Sequence, residues 1–140
     1  LGGWQQSHDL LRAGLEGVVF THQLHLQQLE AADHHLPERA IRLTGGGSRS
    51  REWSQLMADV TGRRIDITDT HEAGARGAAM LAGIATGVFR DPDDAARRCV
   101  TVIRQHHPDS DRHQVMTARY FRWAAAIAAL QTMPPNEPPP

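Results

Sequence analysis

The sequence predicts an α/β domain, and three observations carry that prediction. Residues 40–44 are a short apolar run leading into three consecutive glycines, and residues 51–61 carry an amphipathic helical pattern. Residues 63–68 alternate Ile65 and Ile67 with Arg64 and Asp66, as a strand does. Short connections join all three, so they read as a βαβ unit with parallel strands, and helical periodicity fills most of the remaining chain.

Ser7 is placed to cap a helix over 8–30, in which Leu11, Leu15, Val18, Leu26 and Leu29 recur on one side. Gly14 and Gly17 each cost about 1 kcal/mol against Ala in an exposed helix, which predicts a neighbour close to the backbone and a helix lying against a sheet. His22 and His25 could share a face, but no Cys or well-placed carboxylate completes a metal site, so they read as ordinary helix residues. After a loop with His34, His35 and Pro37, the strand at 40–44 delivers the glycine turn. The helix over 51–61 carries Trp53, Leu56, Met57 and Val60 on one stripe and ends at Gly62, a good C-cap residue.

The next helix, 72–88, has small or apolar residues nearly all round, among them Gly74, Gly77, Ala78 and Ala82, and is expected to be buried on most sides. Asp91 as N-cap and Pro92 at the first helical position begin a helix expected to reach Gln105 and to bury Ala96, Cys99, Val100 and Ile103. A last helix, 112–132, aligns Met116, Tyr120, Trp123, Ile127 and Leu130 as a core stripe. Residues 133–140 are proline-rich, cannot bury themselves, and are expected to be disordered.

A length of 140 residues suits one domain, here 1–132 followed by the tail. The net charge of -1 argues against a general nucleic-acid binder, which would carry a basic excess. No apolar run has membrane-spanning length and no signal peptide is evident, so a cytoplasmic location is expected. Cys99, the single cysteine, rules out an internal disulfide and reads as a small core residue. The start at Leu1 suggests a piece of a longer protein.

The stretch most suggestive of chemistry runs from Leu43 to Trp53. A strand, three glycines and a helix start place backbone N–H groups and a helix N-terminus at one strand end, an arrangement that binds phosphate without a basic side chain. A turn that binds nothing fits the same residues. The Walker pattern fails, because Ser50-Arg51 stand where Gly-Lys should be. The dinucleotide fingerprint has Ser50 at its third glycine but finds an acid in Asp66 or Asp69 near the second strand's end, so it stays open.

Gly45-Gly-Gly-Ser-Arg-Ser-Arg-Glu-Trp-Ser-Gln-Leu-Met-Ala-Asp59, then a strand, then Glu72-Ala-Gly-Ala-Arg-Gly-Ala-Ala79, resembles the C-terminal part of the FGGY carbohydrate kinases. Arg12-Ala-Gly-Leu-Glu-Gly17 is similar to the family's Arg-Ala-x-x-Glu-Gly segment, and Tyr120-Phe121 to its late aromatic helix. The glycine pattern and Val18-Val-Phe-Thr-His22 look most like the branch acting on xylulose and related keto sugars.

The resemblance implies an actin-like ATPase architecture of ribonuclease-H-like topology, represented here by part of the C-terminal domain. It implies ATP or ADP with Mg²⁺ as cofactor and Gly45, Gly46, Gly47 and Ser50 as nucleotide contacts, with Gly46 near the α-phosphate and Ser50 near the adenine or ribose. Trp53 is expected in the core more than against adenine, and Gln55 and Asp59 in structural hydrogen bonds. Sugar pocket, catalytic Asp and most of the metal site would precede the matched region, leaving this chain inactive alone. Exposed sheet edges would then need a partner, and a homodimer is one way to supply it. A dinucleotide-binding oxidoreductase domain and a non-catalytic α/β interaction module are the rival readings.

Overall fold

The computed structural model describes residues 6–32, 40–70 and 72–132. Helix α1 (Ser7–Ala32) precedes strand β1 (Ile41–Leu43), and the glycine turn leads into α2 (Arg51–Thr61) and β2 (Ile65–Thr68). Then follow α3 (Ala73–Ala85), α4 (Pro92–Cys99), β3 (Val102–His106) and α5 (Ser110–Gln131). The expected βαβ unit is present: β1 and β2 are parallel, with Ile41 opposite Ile65 and Leu43 opposite Ile67. Gly62 ends α2 in the left-handed conformation, as expected.

The helix expected to reach Gln105 stops at Cys99. Four consecutive β-branched residues follow, Val100, Thr101, Val102 and Ile103, whose stiff side chains favour extended backbone, and β2 offers them a free edge. The result is β3, antiparallel to β2 with Ile65 opposite His106, which makes β2 the central strand. Ile103 is therefore largely exposed, and Ala95 is buried in place of Ala96. Cys99 and Val100 are half-buried. The start of α4 is as expected, with the Asp91 carboxylate accepting from the Asp94 N–H at 2.7 Å and Pro92 first in the helix.

Ile65 and Ile67 of β2 meet Met57, Ala58 and Val60 of α2, and Val19 and Phe20 of α1 close the core with Met116 and Tyr120 of α5. Phe20 and Tyr120 meet edge to face at 5.9 Å. Helix α1 thus packs on α2 and α5, not chiefly on the sheet, and it turns a different face inward from the leucine stripe. Leu11, Leu15, Val18 and Leu29 are at least half exposed, whereas Glu16, Val19 and Phe20 are buried. The Glu16 carboxylate lies on this inward face beside Val19 and Phe20. It accepts from Arg119 of α5 at 2.8 and 2.9 Å and from Arg12 at 2.8 Å, and a buried carboxylate must keep such donors.

Other expectations are corrected too. Ser7 is the first helical residue and not the cap, and the Gln6 N–H donates to the Asp9 carboxylate. A Cβ on Gly17 would only touch Trp123 at 3.9 Å, and one on Gly14 would meet nothing within 4 Å. Helix α3 buries no residue, against the expectation of burial on most sides, because its main neighbour is α4 alone. Helix α5 begins at Ser110, capped by Asp109, and its stripe is buried at Met116 and Tyr120 but exposed by Leu130. His34, His35, Pro37, His71 and the tail 133–140 lie outside the described residues. Among the described residues no helix is long and apolar enough to cross a membrane.

Candidate functional site

The glycine turn stands at the C-terminal end of β1. Gly45 has φ 83° and ψ -167°, a region essentially restricted to glycine. It redirects the chain into one 3₁₀ turn, Gly46–Arg49, in which the Ser48 N–H and hydroxyl both donate to the Gly45 carbonyl, at 3.2 and 2.7 Å. The turn has two unlike sides. A Cβ on Gly45 or Gly46 would meet nothing within 4 Å, so this side is open. A Cβ on Gly47 would lie 3.0 Å from the Trp53 Nε1, so the indole floors the turn while packing against the core, in line with the core role expected of it. Ser48 is buried.

Ser50 is the N-cap of α2. Its hydroxyl accepts from the Trp53 N–H at 3.1 Å and donates to Glu52 at 3.0 Å. A hydroxyl has one donor and two acceptor positions, so what remains is one acceptor. The structure brings Gly45, Gly46, Gly47 and Ser50 together along one turn. Glu52 sits in the first turn of α2, where its own backbone N–H and then the Ser50 hydroxyl lower its pKa.

A brace that the sequence reading missed holds the turn from β3. Arg104 donates through Nη2 to the Ser48 carbonyl at 2.6 Å and through Nε to His106 Nε2 at 3.0 Å. His106 Nδ1 lies 3.1 Å from Gln55 Oε1. Gln55 Nε2 donates to the Asp59 carboxylate and to the His107 carbonyl, both at 2.8 Å, which fixes the amide with its oxygen toward the ring. His106 is therefore neutral with its proton on Nδ1. Burial first, then Arg104 and Arg51, lower its pKa against the pull of Asp59. Asp59 also accepts from the Asp109 N–H at 3.0 Å, and its own carbonyl lies 2.8 Å from His113 Nδ1, so Gln55 and Asp59 have the structural roles expected of them. Missing β3 hid this brace; the β-branched run from Val100 to Ile103 was the available signal.

A cavity of about 960 Å³ opens between α1, α2 and α5, bordered by Leu11, Leu15, Arg51, Glu52, Gln55 and His106. A larger one, about 1290 Å³, lies by Glu30, Arg42, Arg64, Asp66 and Arg97 and shares no residue with the glycine turn. The acids that a dinucleotide reading needs are engaged elsewhere. Asp66 is paired with Arg64 at 3.0 Å and accepts from Gln105, while Asp69 accepts from Arg76, whose hydrogen bond is the chief cause of its lowered pKa.

Residues 3–86 match the FGGY family of carbohydrate kinases, C-terminal domain. The chain belongs to that family. It is 38% identical over 132 residues to the L-xylulose/3-keto-L-gulonate kinase of Escherichia coli (strain K12), covering 92% of this chain and 26% of that protein. Among solved structures, the xylulose kinase from Rhodospirillum rubrum superposes with a TM-score of 0.79 at 29% identity, and the gluconate kinase from Lactobacillus acidophilus with 0.83 at 22%. Each superposition covers 94% of this chain and 26% of the other. This FGGY chain thus spans about a quarter of the length of the relatives it matches. The expected α/β, actin-like fold class holds, and the resemblance drawn from the glycine and Glu72–Ala79 motifs is correct at family level.

Proposed function

We propose that this FGGY domain is the nucleotide-holding part of a sugar kinase, which transfers the γ-phosphate of ATP to a hydroxyl of a keto sugar or polyol. The observation that carries the reading is the two-sided glycine turn: open over Gly45 and Gly46, packed beneath Gly47, and continuous with the N-terminus of α2. Backbone N–H groups on the open side meet phosphate oxygens without a side chain between them, and the helix start favours the negative charge. The remaining acceptor on Ser50 suits a donor such as the adenine amino group or a ribose hydroxyl.

The residues fit a nucleotide, and Gly45, Gly46, Gly47 and Ser50 would hold it. Bound ATP supplies the transferable phosphoryl group. This chain's part is to position the nucleotide, which matters because phosphoryl transfer is mostly positioning and charge neutralisation. Mg²⁺ is assigned to the phosphates and to residues preceding this region, as are the sugar pocket and the carboxylate that orients the attacking hydroxyl. Residues 1–132 act as one C-terminal unit of a longer cytoplasmic enzyme, and alone they do not turn over.

Calorimetric titration of the chain with ADP, ATP and NAD tests this. Adenine nucleotide should bind in preference to NAD, and Gly46→Val should abolish binding. Equal affinity of Gly46→Val would leave the turn a mere connection, and sugar phosphorylation by the purified chain would overturn the division of labour.

A further inference from the structure

The brace behind the glycine turn depends on a lone pair. Arg104 Nε can donate to His106 Nε2 only while that nitrogen carries no proton, and the Gln55 amide already requires the ring's one proton on Nδ1. A second proton would point an N–H of an imidazolium at an N–H of a guanidinium that never deprotonates. Attraction becomes repulsion at 3.0 Å, and Arg104 cannot keep both of its partners. The partner at its other end is the carbonyl of Ser48, at the centre of the turn.

We propose that Arg104 and His106 form a proton-sensitive clamp on the glycine turn, with Arg104 as the positioning residue: neutral His106 holds the turn in its observed shape, and protonated His106 releases it. The consequence for nucleotide affinity rests on the reading that the turn holds nucleotide. The surrounding charges define the switch. Helix α2 presents Arg51, Glu52 and Asp59, α5 presents Asp111 and Arg112 to the same cavity, and α1 presents His8, Arg12 and Glu16. From β2, the residue opposite His106 is the uncharged Ile65. Asp59 favours the proton, but its carboxylate is shared with Gln55, the Asp109 N–H and Arg112, while burial and the two nearby arginines oppose the proton more strongly. Release therefore falls below the ordinary imidazole range of about 6.5.

The test is an NMR titration of the labelled chain from about pH 7.5 to 4.5, set against ADP affinity at the same pH values. The expected result is an Nδ1–H tautomer for neutral His106 and Gly46 and Gly47 amide shifts that follow its midpoint. ADP affinity should fall about tenfold or more across the same step, the scale of losing one charge-assisted hydrogen bond. His106→Gln, which keeps an acceptor for Arg104, should retain affinity and flatten the step; Arg104→Gln should bind weakly at every pH. Amides that ignore the His106 midpoint, or an Nε2–H tautomer, would overturn the clamp. Amides that follow His106 in a chain that ADP does not perturb would uphold the clamp and overturn the nucleotide reading instead.

Discussion

Replacing Gly45 and Gly46 one at a time by alanine separates what the turn needs to fold from what it needs to bind. Both positions are sterically open, since a Cβ on either meets nothing within 4 Å. They differ in backbone: Gly45 has φ 83° and ψ -167°, whereas Gly46 is not among the glycines with positive φ. Each Gly→Ala change removes the same freedom from the unfolded chain, worth about 0.4–1 kcal/mol in favour of the variant. That contribution cancels between the two, leaving the strain at Gly45, about 1–3 kcal/mol. Urea unfolding followed by far-UV circular dichroism should place Gly45→Ala below Gly46→Ala by that amount, with Gly46→Ala near or above the parent. ADP affinity should run the other way for Gly46→Ala, which keeps its fold and loses binding because the new methyl occupies the open side. Coincident unfolding curves for the two variants would refute the reasoning.

Three further outcomes are expected. Ser50→Ala should cost about 1 kcal/mol of stability through the lost cap and Ser50→Gly only a few tenths, read by urea midpoints, so weaker ADP binding by Ser50→Gly isolates the hydroxyl's role. Arg119→Met should destabilise by about 1.5–3 kcal/mol, because Arg119 holds both oxygens of the buried Glu16, while Arg12→Met, at an arginine 62% exposed, should cost under about 1 kcal/mol. On acidification the unfolded chain protonates His106 near pH 6.5, before the folded chain does, because the folded pKa is lowered. Stability from neutral His106 is therefore full above about pH 6.5 and lost as pH falls through the folded value, ahead of the lowered carboxylates Glu52, Asp69 and Asp94. Urea midpoints at several pH values should show this slope in the parent and not in His106→Gln.

What the sequence made legible was local. The span of α2, the Gly62 and Asp91 caps and the glycine turn depend on residues within a few positions of each other, and the parallel pair of Ile41 with Ile65 follows from the short connections on either side of α2. The rotation of α1 was not legible, because its inward face meets Arg119, 103 residues from Glu16, and rings of α5. Apolar periodicity predicts a buried face only where that face finds enough neighbours, and among the described residues Leu11, Leu15, Val18 and Leu29 of α1 stay exposed while α3, packed mainly on α4, buries none of its residues fully. At the site, the residues that form the turn were visible and the one that steadies it was not. Arg104 lies in a strand that the capping signals of Asp91 and Pro92 had made look like the rest of a helix.

The brace also orders events in time. Ser48 and Arg104 are separated by 56 positions, Gln55 and His106 by 51, and Asp59 and the Asp109 N–H by 50. Such contacts close late, because the entropy of a long loop is lost before they form. During synthesis the turn and α2 emerge well before β3, so the glycines wait for their support until Val102–His106 have appeared. The family match ends at residue 86. A truncation made there would keep every glycine of the turn and discard the strand that holds it still.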